Sequence, residues 1–588
     1  MAKGGVLKID KPKDSRYVLR GLWRYLSAHA GALALAVVLT MVTNGLALLG
    51  PALSGEAINR VEQGGDFMPA VLAIAGKMAV CFVISCVAAR VLAHLMIRIS
   101  QQVVRRMRDD LFAKLHRLPT GYYDGHQTGD IMSRMSYDID TINTSLTNDL
   151  IQVGGGVVTA VGAFGMMLRL SPLLLAVVVV IIPFGLWWVG RIVRRLRPLS
   201  RARSRAMGEL GGFTEEMVTG LRTLRAYARE EQVIGRFDPV NQGAARGYTD
   251  VECMACRVGA TVNFTGNLSL SMLTVAGALL HLAGRLALGD LSSFVLYAKK
   301  VSGLIGELAN LAGDLQSAMA AAERVFQMLD QPEEEPDAPG AADLVHPEGA
   351  VRLDGVSFGY LPGQTVLHDL SLAVAPGRLA AIVGETGAGK TSIINLLMRY
   401  YDADSGLITV DGQDIRAVRR DSLRRSYALV LQDTWLFEGT IYDNLRYGNP
   451  SASREQVVEA AKAARIHHYI ERLPAGYDTP LLEGGANLSK GQRQLMAIAR
   501  AMLIDAPMLI LDEATSNVDT RTEKEIQAAM RRLMQDKTCF VIAHRLSTII
   551  DADVILLLQD GDVIEQGTHR ELMDKKGAYY RLFHAQFE

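Results

Sequence analysis

Six apolar runs occupy most of the first half of the chain, and they leave few ways to fold it. They fall at roughly 30–50, 70–97, 148–169, 172–190, 258–284 and 290–312. A helix needs about 20 apolar residues to cross a bilayer, so each run is long enough to span as a helix. Leu173–Ile182 is almost unbroken, and only Leu170-Ser171-Pro172 separates the third run from the fourth, which predicts a tight hairpin. The fifth and sixth runs are more polar, carrying Asn263, Asn267, His281, Lys299, Lys300, Glu307 and Asn310. Polar groups are expensive in lipid. Asn263, Asn267, Glu307 and Asn310 are therefore candidates for lining a translocation path. The same residue types also make helix–helix hydrogen bonds, and the sequence leaves both readings open.

Between the runs the charges are uneven. Segment 98–145 carries Arg98, Arg105, Arg106, Arg108, Lys114, Arg117 and Arg134. Segment 191–257 carries Arg191, Arg194, Arg195, Arg197, Arg201, Arg203 and Arg205 among others, whereas the loops at 51–68, 170–171 and 285–290 carry few. The positive-inside rule puts the two basic segments and both termini in the cytoplasm. Apolar residues recur at helical spacing through them (Leu111, Leu115, Leu118; then Ile131, Met135, Ile139, Ile142). This predicts membrane helices that run on past the lipid and return. Each needs a turn at its tip, and the candidates are Gly121–Gly129 and Gly211–Met217. Ser15–His29 mixes Leu19, Leu22 and Trp23 with Arg16, Arg20 and Arg24, the pattern of an amphipathic helix on the cytoplasmic membrane surface, or of a solvated one. The charged first 28 residues show no apolar core of a cleavable signal.

Composition agrees with a chain that is half embedded. Among 588 residues, 62 basic side chains balance 62 acidic ones, which argues against a nucleic-acid partner held by a broad basic surface. Mean hydropathy is +0.15 although 21% of residues are charged. The five cysteines, at 81, 86, 253, 256 and 539, suggest no disulfide framework. Cys253 and Cys256 have redox or metal spacing, but a structural zinc needs four ligands, so the pair reads as two small residues at the start of a span.

Asp330–Pro347 contains four prolines and an acidic run and predicts an exposed linker. Beyond it strands alternate with helices: Val351–Leu353, Ser371–Val374, Leu379–Val383, Tyr427–Leu431, Met508–Leu511, Cys539–Ile542 and Val554–Leu558 read as strands. The expected layout is a helical membrane domain at 1–329, a linker at 330–349 and an α/β domain at 350–588. Gly384-Glu-Thr-Gly-Ala-Gly-Lys-Thr391 lies between an apolar strand and an apolar helix. That is the setting of a phosphate-binding loop. Gly384, Thr386, Gly387, Gly389 and Ser392 belong to it. Lys390 reaches the β- and γ-phosphates and the Thr391 hydroxyl meets Mg²⁺. Asp512, ending the strand Met508–Leu511, is placed to hold Mg²⁺, and Glu513 to orient or deprotonate a water.

Together these motifs resemble the ATP-binding cassette superfamily, in the layout of an exporter half-transporter. The resemblance covers nearly the whole chain. It implies that Tyr360 stacks on adenine and that Gln432 senses Mg²⁺ and the membrane domain. It implies that Leu488–Gln492, with Ser489, Lys490, Gly491 and Gln492, is the signature closing on a partner's γ-phosphate. Asp519 falls in the D-loop, His544 is the switch histidine, and Glu483 is the glutamate that touches the coupling helices. The tips Tyr122–Gly129 and Phe213–Leu224 become coupling helices. One departure stands out. Lys490 replaces the glycine usual in the signature, and Asn517-Val518 replaces the usual Ala-Leu. With Glu513 intact, this resembles one subunit type of heterodimeric bacterial multidrug exporters, in which one ATP site is impaired. A homodimer that tolerates Lys490 is the alternative. The expected function is ATP- and Mg²⁺-dependent export of amphipathic drugs or lipids across the cytoplasmic membrane. An importer or a regulator on the same fold is the competing class.

Overall fold

The computed structural model describes residues 14–587 apart from 65, 433, 513–518 and 544–545. The chain forms two compact units, Met1–Arg117 with Gln127–Gln331, and Leu118–His126 with Pro332–Glu588. The excursion at Leu118–His126 is the tip of the first long hairpin, and it belongs with the C-terminal unit.

The first unit is helical. After α1 (Ser15–Leu26) come α2 (Ala30–Glu62) and α3 (Met68–Leu115); the tip carries α4 (Thr120–Gly125), and Thr128–Leu170 returns as α5. Then follow α6 (Pro172–Thr219), α7 (Leu221–Ala226), α8 (Glu230–Leu282) and α9 (Leu288–Leu329). At 1.5 Å per residue, the 48 residues of α3 or α6 extend about 72 Å, over twice the thickness of a hydrocarbon core. The basic segments are thus continuations of the membrane helices, as their periodicity predicts. Among the described residues, five helices are long and apolar enough to cross a membrane: Ser15–Glu62, Met68–Leu115, Thr128–Leu170, Pro172–Thr219 and Glu230–Leu282. The expected sixth span lies inside α9, a helix that does not reach that apolarity because Lys299, Lys300 and Glu307 interrupt it. It is nevertheless central to the bundle, burying Phe294, Tyr297, Ala298 and Val301 beside Met167, Leu174 and Leu273.

The hairpin at Leu170-Ser171-Pro172 forms where expected. Ser171 leaves helical geometry and its hydroxyl accepts from Leu174 N, and Pro172 starts α6 where a missing N–H costs nothing. The second tip is displaced from its expected place. Gly211–Met217 lies within α6, and the chain turns at Gly220, with α7 as the tip. Helix α1 also differs from a purely surface helix. Val18 and Tyr25 are buried, Tyr17 and Tyr25 pack on Phe326, Tyr17 donates to Asp330, and Tyr25 Oη donates to Asp110 at 2.8 Å. The opposite side, with Leu19 and Trp23, is exposed. In α5 two π-helical turns, Arg134–Asp138 and Ser145–Asp149, interrupt the regular ladder. Asp138 is buried there and accepts from Arg324 Nε of α9 at 2.9 Å.

The second unit holds two large sheets, besides a two-stranded ribbon that pairs Gly439–Thr440 with Pro480–Leu481. One is antiparallel, in the order β2-β1-β4-β5, from β1 (Val351–Phe358), β2 (Leu367–Val374), β4 (Ser405–Val410) and β5 (Gln413–Asp414). The other has six strands, in the order β10-β9-β3-β8-β7-β6. They are β3 (Leu379–Gly384), β6 (Tyr427–Val430), β7 (Met508–Asp512), β8 (Thr538–Ile542), β9 (Val554–Gln559) and β10 (Asp562–Gly567). All pair in parallel except the edge strand β10. Successive residues face opposite ways. Leu509, Leu511, Val541, Ile555 and Leu557 enter one core, while Met508, Ile510, Phe540, Ile542, Leu556 and Leu558 enter the other. Burial on both faces explains why these strands read as unbroken apolar runs.

The linker is not a free spacer. Glu334 pairs with Arg424 and Arg420, and Asp337 accepts from Arg420 N and Nη1. Arg420 and Arg399, both buried, also share Asp402. The acidic run that looked like a solvated connector supplies the counter-charges for buried arginines, and so it is fixed to the α/β unit.

Candidate functional site

The phosphate loop leaves β3 at Gly384 and enters α10 (Lys390–Leu397). Gly387 and Gly389 sit at φ +91° and +97°, left-handed values that glycine adopts at no steric cost. Thr386 is exposed on the loop and Thr391 on the first turn of α10. Lys390 is buried, and its Nζ arches back to donate to the carbonyls of Gly384 and Glu385, each at 2.7 Å. Burial lowers the Lys390 pKa, while the charge of Asp512 acts against that shift, so the two groups share one electrostatic neighbourhood.

Strand register explains how residues more than a hundred positions apart arrive together. Ile382 pairs with Ile542, Ile542 with Asp512, and Leu511 with Val430. Gly384, Asp512 and Gln432 therefore emerge from the same carboxyl edge of the parallel sheet, where open α/β sheets bind ligands. His544 would follow β8 from that edge and Glu513 would follow Asp512, but both lie outside the described residues, as does the stretch Ser516–Val518.

Tyr360 lies beside the loop. Its Oη is 2.9 Å from the buried Ser392 hydroxyl and accepts from Asn395 Nδ2 at 3.1 Å. Part of the ring stays open, 41% of the residue being exposed, which leaves a face for a base to stack on. Tyr401 meets this ring edge-on, with centroids 5.1 Å apart, and donates from its Oη to Asp124 of α4. Gly121 of α4 lies against the same ring, where an added Cβ would be 3.0 Å from Tyr401 Cε1. Nothing in the sequence singles out Tyr401, because the residues it meets are far from it along the chain.

The signature turn begins α12 (Lys490–Met502; Arg420–Arg425 being α11). Ser489 is its N-cap: the hydroxyl accepts from Gln492 N at 3.2 Å, and the Gln492 side chain accepts from Ser489 N at 2.8 Å. Gly491 is buried. Lys490 takes ordinary helical geometry at the first helical position, so the backbone there imposes no need for glycine. A cation at a helix N-terminus is electrostatically unfavourable by a modest amount. Asp519 also caps a helix, α13 (Thr520–Met534), accepting from Arg521 N and Thr522 N, which lowers its pKa.

The candidate path residues are not brought into one cluster. Asn263 and Asn267 are exposed along α8 and Glu307 along α9, and the Asn310 side chain lies outside what the structure describes. Lys300 donates to the carbonyl of Ala47, and His281 lies 3.5 Å from Glu62 at the far end of α2. Cys253 and Cys256 have free thiols on α8, and burial pushes the Cys539 thiol up to about 12.

A bundle of long apolar helices, joined in one chain to a parallel-sheet domain with a phosphate loop and a capped signature turn, defines an ATP-driven membrane transporter. Residues 33–304 match the family model of the ABC transporter transmembrane region, and residues 367–516 a second family model, ABC transporter. The chain is 40% identical over 586 residues to an uncharacterised ABC transporter ATP-binding protein, YfiC, of Bacillus subtilis, covering 100% of this chain and 97% of that one. It is 42% identical over 485 residues to a fatty acid ABC transporter ATP-binding/permease protein of Mycobacterium tuberculosis, covering 82% and 76%. It is 35% identical to an ATP-dependent lipid A-core flippase of Chromobacterium violaceum, covering 98% and 99%. A solved bacterial Atm1-family ABC exporter with ATP bound has a TM-score of 0.76 at 29% identity, covering 95% of this chain and 98% of that one. The chain belongs to the ABC transporter family, as an exporter half-transporter that binds ATP and hydrolyses it to drive transport.

Proposed function

We propose that the chain exports amphipathic lipids or drug-like molecules across the cytoplasmic membrane by alternating access, as one half of a two-chain assembly. Its termini and cassette face the cytoplasm, with domains at 1–329 and 350–588 joined by the 330–349 linker. The convergence of Lys390, Asp512 and Gln432 on one sheet edge carries the ATPase part of this reading. Relatives named for fatty acid transport and lipid A-core flipping support an acyl-chain cargo.

Within the site, Lys390 and the loop amides hold the β- and γ-phosphates, Tyr360 stacks on adenine, and Glu513 and His544 handle the attacking water. The donor set of hydroxyl, carboxylate and amide oxygens suits Mg²⁺, which Thr391, Asp512 and Gln432 would hold. The ion neutralises charge on the transferring phosphoryl group when bound. Ser489, Gly491 and Gln492 close on a nucleotide held by the other chain.

The partner in this proposal is a different half-transporter with a standard signature, so that the site facing Lys490 is impaired. A homodimer is the second reading, and the unstrained helical backbone at Lys490 favours it. ATP-dependent uptake of a fluorescent long-chain fatty acid into inside-out vesicles tests the cargo. Uptake should fall to background in Glu513→Gln, and uptake that needs no ATP would overturn the proposal.

A further inference from the structure

Helix α2 carries a proline inside its apolar run. Pro51 has no N–H, so the carbonyl of Ala47, four residues earlier, loses the helical partner that residue 51 would otherwise supply. An orphaned carbonyl inside a membrane must find a donor elsewhere. The donor comes from α9. Lys300 Nζ donates to Ala47 O at 2.7 Å, Tyr297 Oη to Leu48 O at 2.6 Å and Ser293 Oγ to Pro51 O at 2.8 Å.

Ser293, Tyr297 and Lys300 are spaced i, i+4, i+7, so one face of α9 presents three donors to three carbonyls around the proline. Ser293 and Tyr297 are buried. Just beyond them the backbones touch: a Cβ on Gly289 would collide with the Gly55 carbonyl, and one on Gly55 with the Ser293 hydroxyl. The contact therefore extends from Gly55–Gly289 to Ala47–Lys300 along the two helices. At the Lys300 end the acceptor is a neutral carbonyl, not a carboxylate.

We infer that Lys300 is a positioning residue of the transport path: its ammonium replaces the amide that Pro51 removes, and with Tyr297 and Ser293 it sets how α2 packs against α9 around that proline. A proline inside a long helix is where bending is easiest, so the donors that hold the freed carbonyl govern the helix geometry there. The role needs a hydrogen-bond donor and does not need a charge. This separates it from a second role for an intramembrane lysine, pairing with an anionic substrate, which does need the charge.

The test uses the full-length chain in nanodiscs of phosphatidylethanolamine and phosphatidylglycerol. Amide hydrogen exchange is followed over residues 44–58 for wild type, Lys300→Met, Lys300→Gln, Pro51→Ala and the double variant Pro51→Ala/Lys300→Met. Exchange in Lys300→Met should speed up by about fivefold, the scale of losing one intramolecular hydrogen bond. Lys300→Gln should stay within about twofold of wild type, since it keeps a donor. The double variant should regain protection, because replacing the proline restores the backbone N–H that the Ala47 carbonyl lacks. In the same samples the lipid-stimulated ATPase turnover should follow that order while the KM for ATP stays constant. The turnover readout rests on the exporter reading, but the exchange readout does not, so their failures are distinguishable. Wild-type exchange in Lys300→Met, or a double variant as exposed as Lys300→Met, would overturn the inference. Equal losses in Lys300→Gln and Lys300→Met would overturn it in favour of the charge.

Discussion

The two long hairpins end in short helices of similar length and opposite fates. The first tip, α4, is covered by its own chain: Tyr122 is 8% exposed, Tyr401 donates to Asp124, and Gly121 packs on the Tyr401 ring. The second tip, α7, is bare. Val218 and Ile234 are each 66% exposed, and a groove of about 320 Å³ opens among Phe213, Met217, Val218, Leu221, Val233 and Phe237. Apolar side chains this exposed mark a place of contact. One tip is thus packed on residues of the α/β unit it belongs with, while the other presents apolar side chains to solvent. The proposed two-chain exporter gives it an occupant, the cassette of the second half-transporter.

The largest effect is expected at the second tip. Leu221→Asp with Ile234→Asp should leave the chain folded, since both residues are exposed, yet cut ATP turnover by at least about tenfold by placing unpaired charges in a contact. Native mass measurement should show single chains. A doubly charged tip with wild-type turnover would mean that it docks on nothing. Elsewhere the cost falls on stability. The larger loss, about 3 kcal/mol of calorimetric stability of the cassette, is expected for Arg420→Met, which removes a buried guanidinium shared by Glu334, Asp337 and Asp402 and leaves Arg424 and Arg399 to face them. At the first tip, Tyr401→Ala removes a ring that Tyr360, Phe358 and Gly121 all contact, and should cost about 2 kcal/mol in the same assay. The smallest effect belongs to Tyr401→Phe, about 1 kcal/mol, because it deletes only the hydrogen bond to Asp124. If Tyr401→Phe matched Tyr401→Ala, the hydroxyl rather than the ring would hold the first tip.

The sequence exposed what is local. Phosphate-loop chemistry fits in one short run, Gly384–Thr391, and the apolar runs declare their helices by length alone. What depends on distant partners was hidden. Gly211-Gly212 looked like a turn because glycine weakens helices by about 1 kcal/mol, but a long helical hairpin absorbs that penalty and turns at Gly220 instead. Glu334 and Asp337 looked like solvated linker charges because their arginines, Arg399, Arg420 and Arg424, lie far along the chain. Tyr401 carried no motif at all. Lys300 looked like one polar residue among several in an apolar run, and only the carbonyl orphaned by Pro51 reveals what it touches.

In the proposed assembly ATP turnover needs two chains, meeting through the bare second tip. Mg²⁺-ATPase activity of the full-length chain in nanodiscs, sorted by native mass into one-chain and two-chain particles and run beside Glu513→Gln, tests it most directly. Turnover confined to two-chain particles and abolished by Glu513→Gln is the predicted result. Wild-type turnover in particles holding one chain would contradict it.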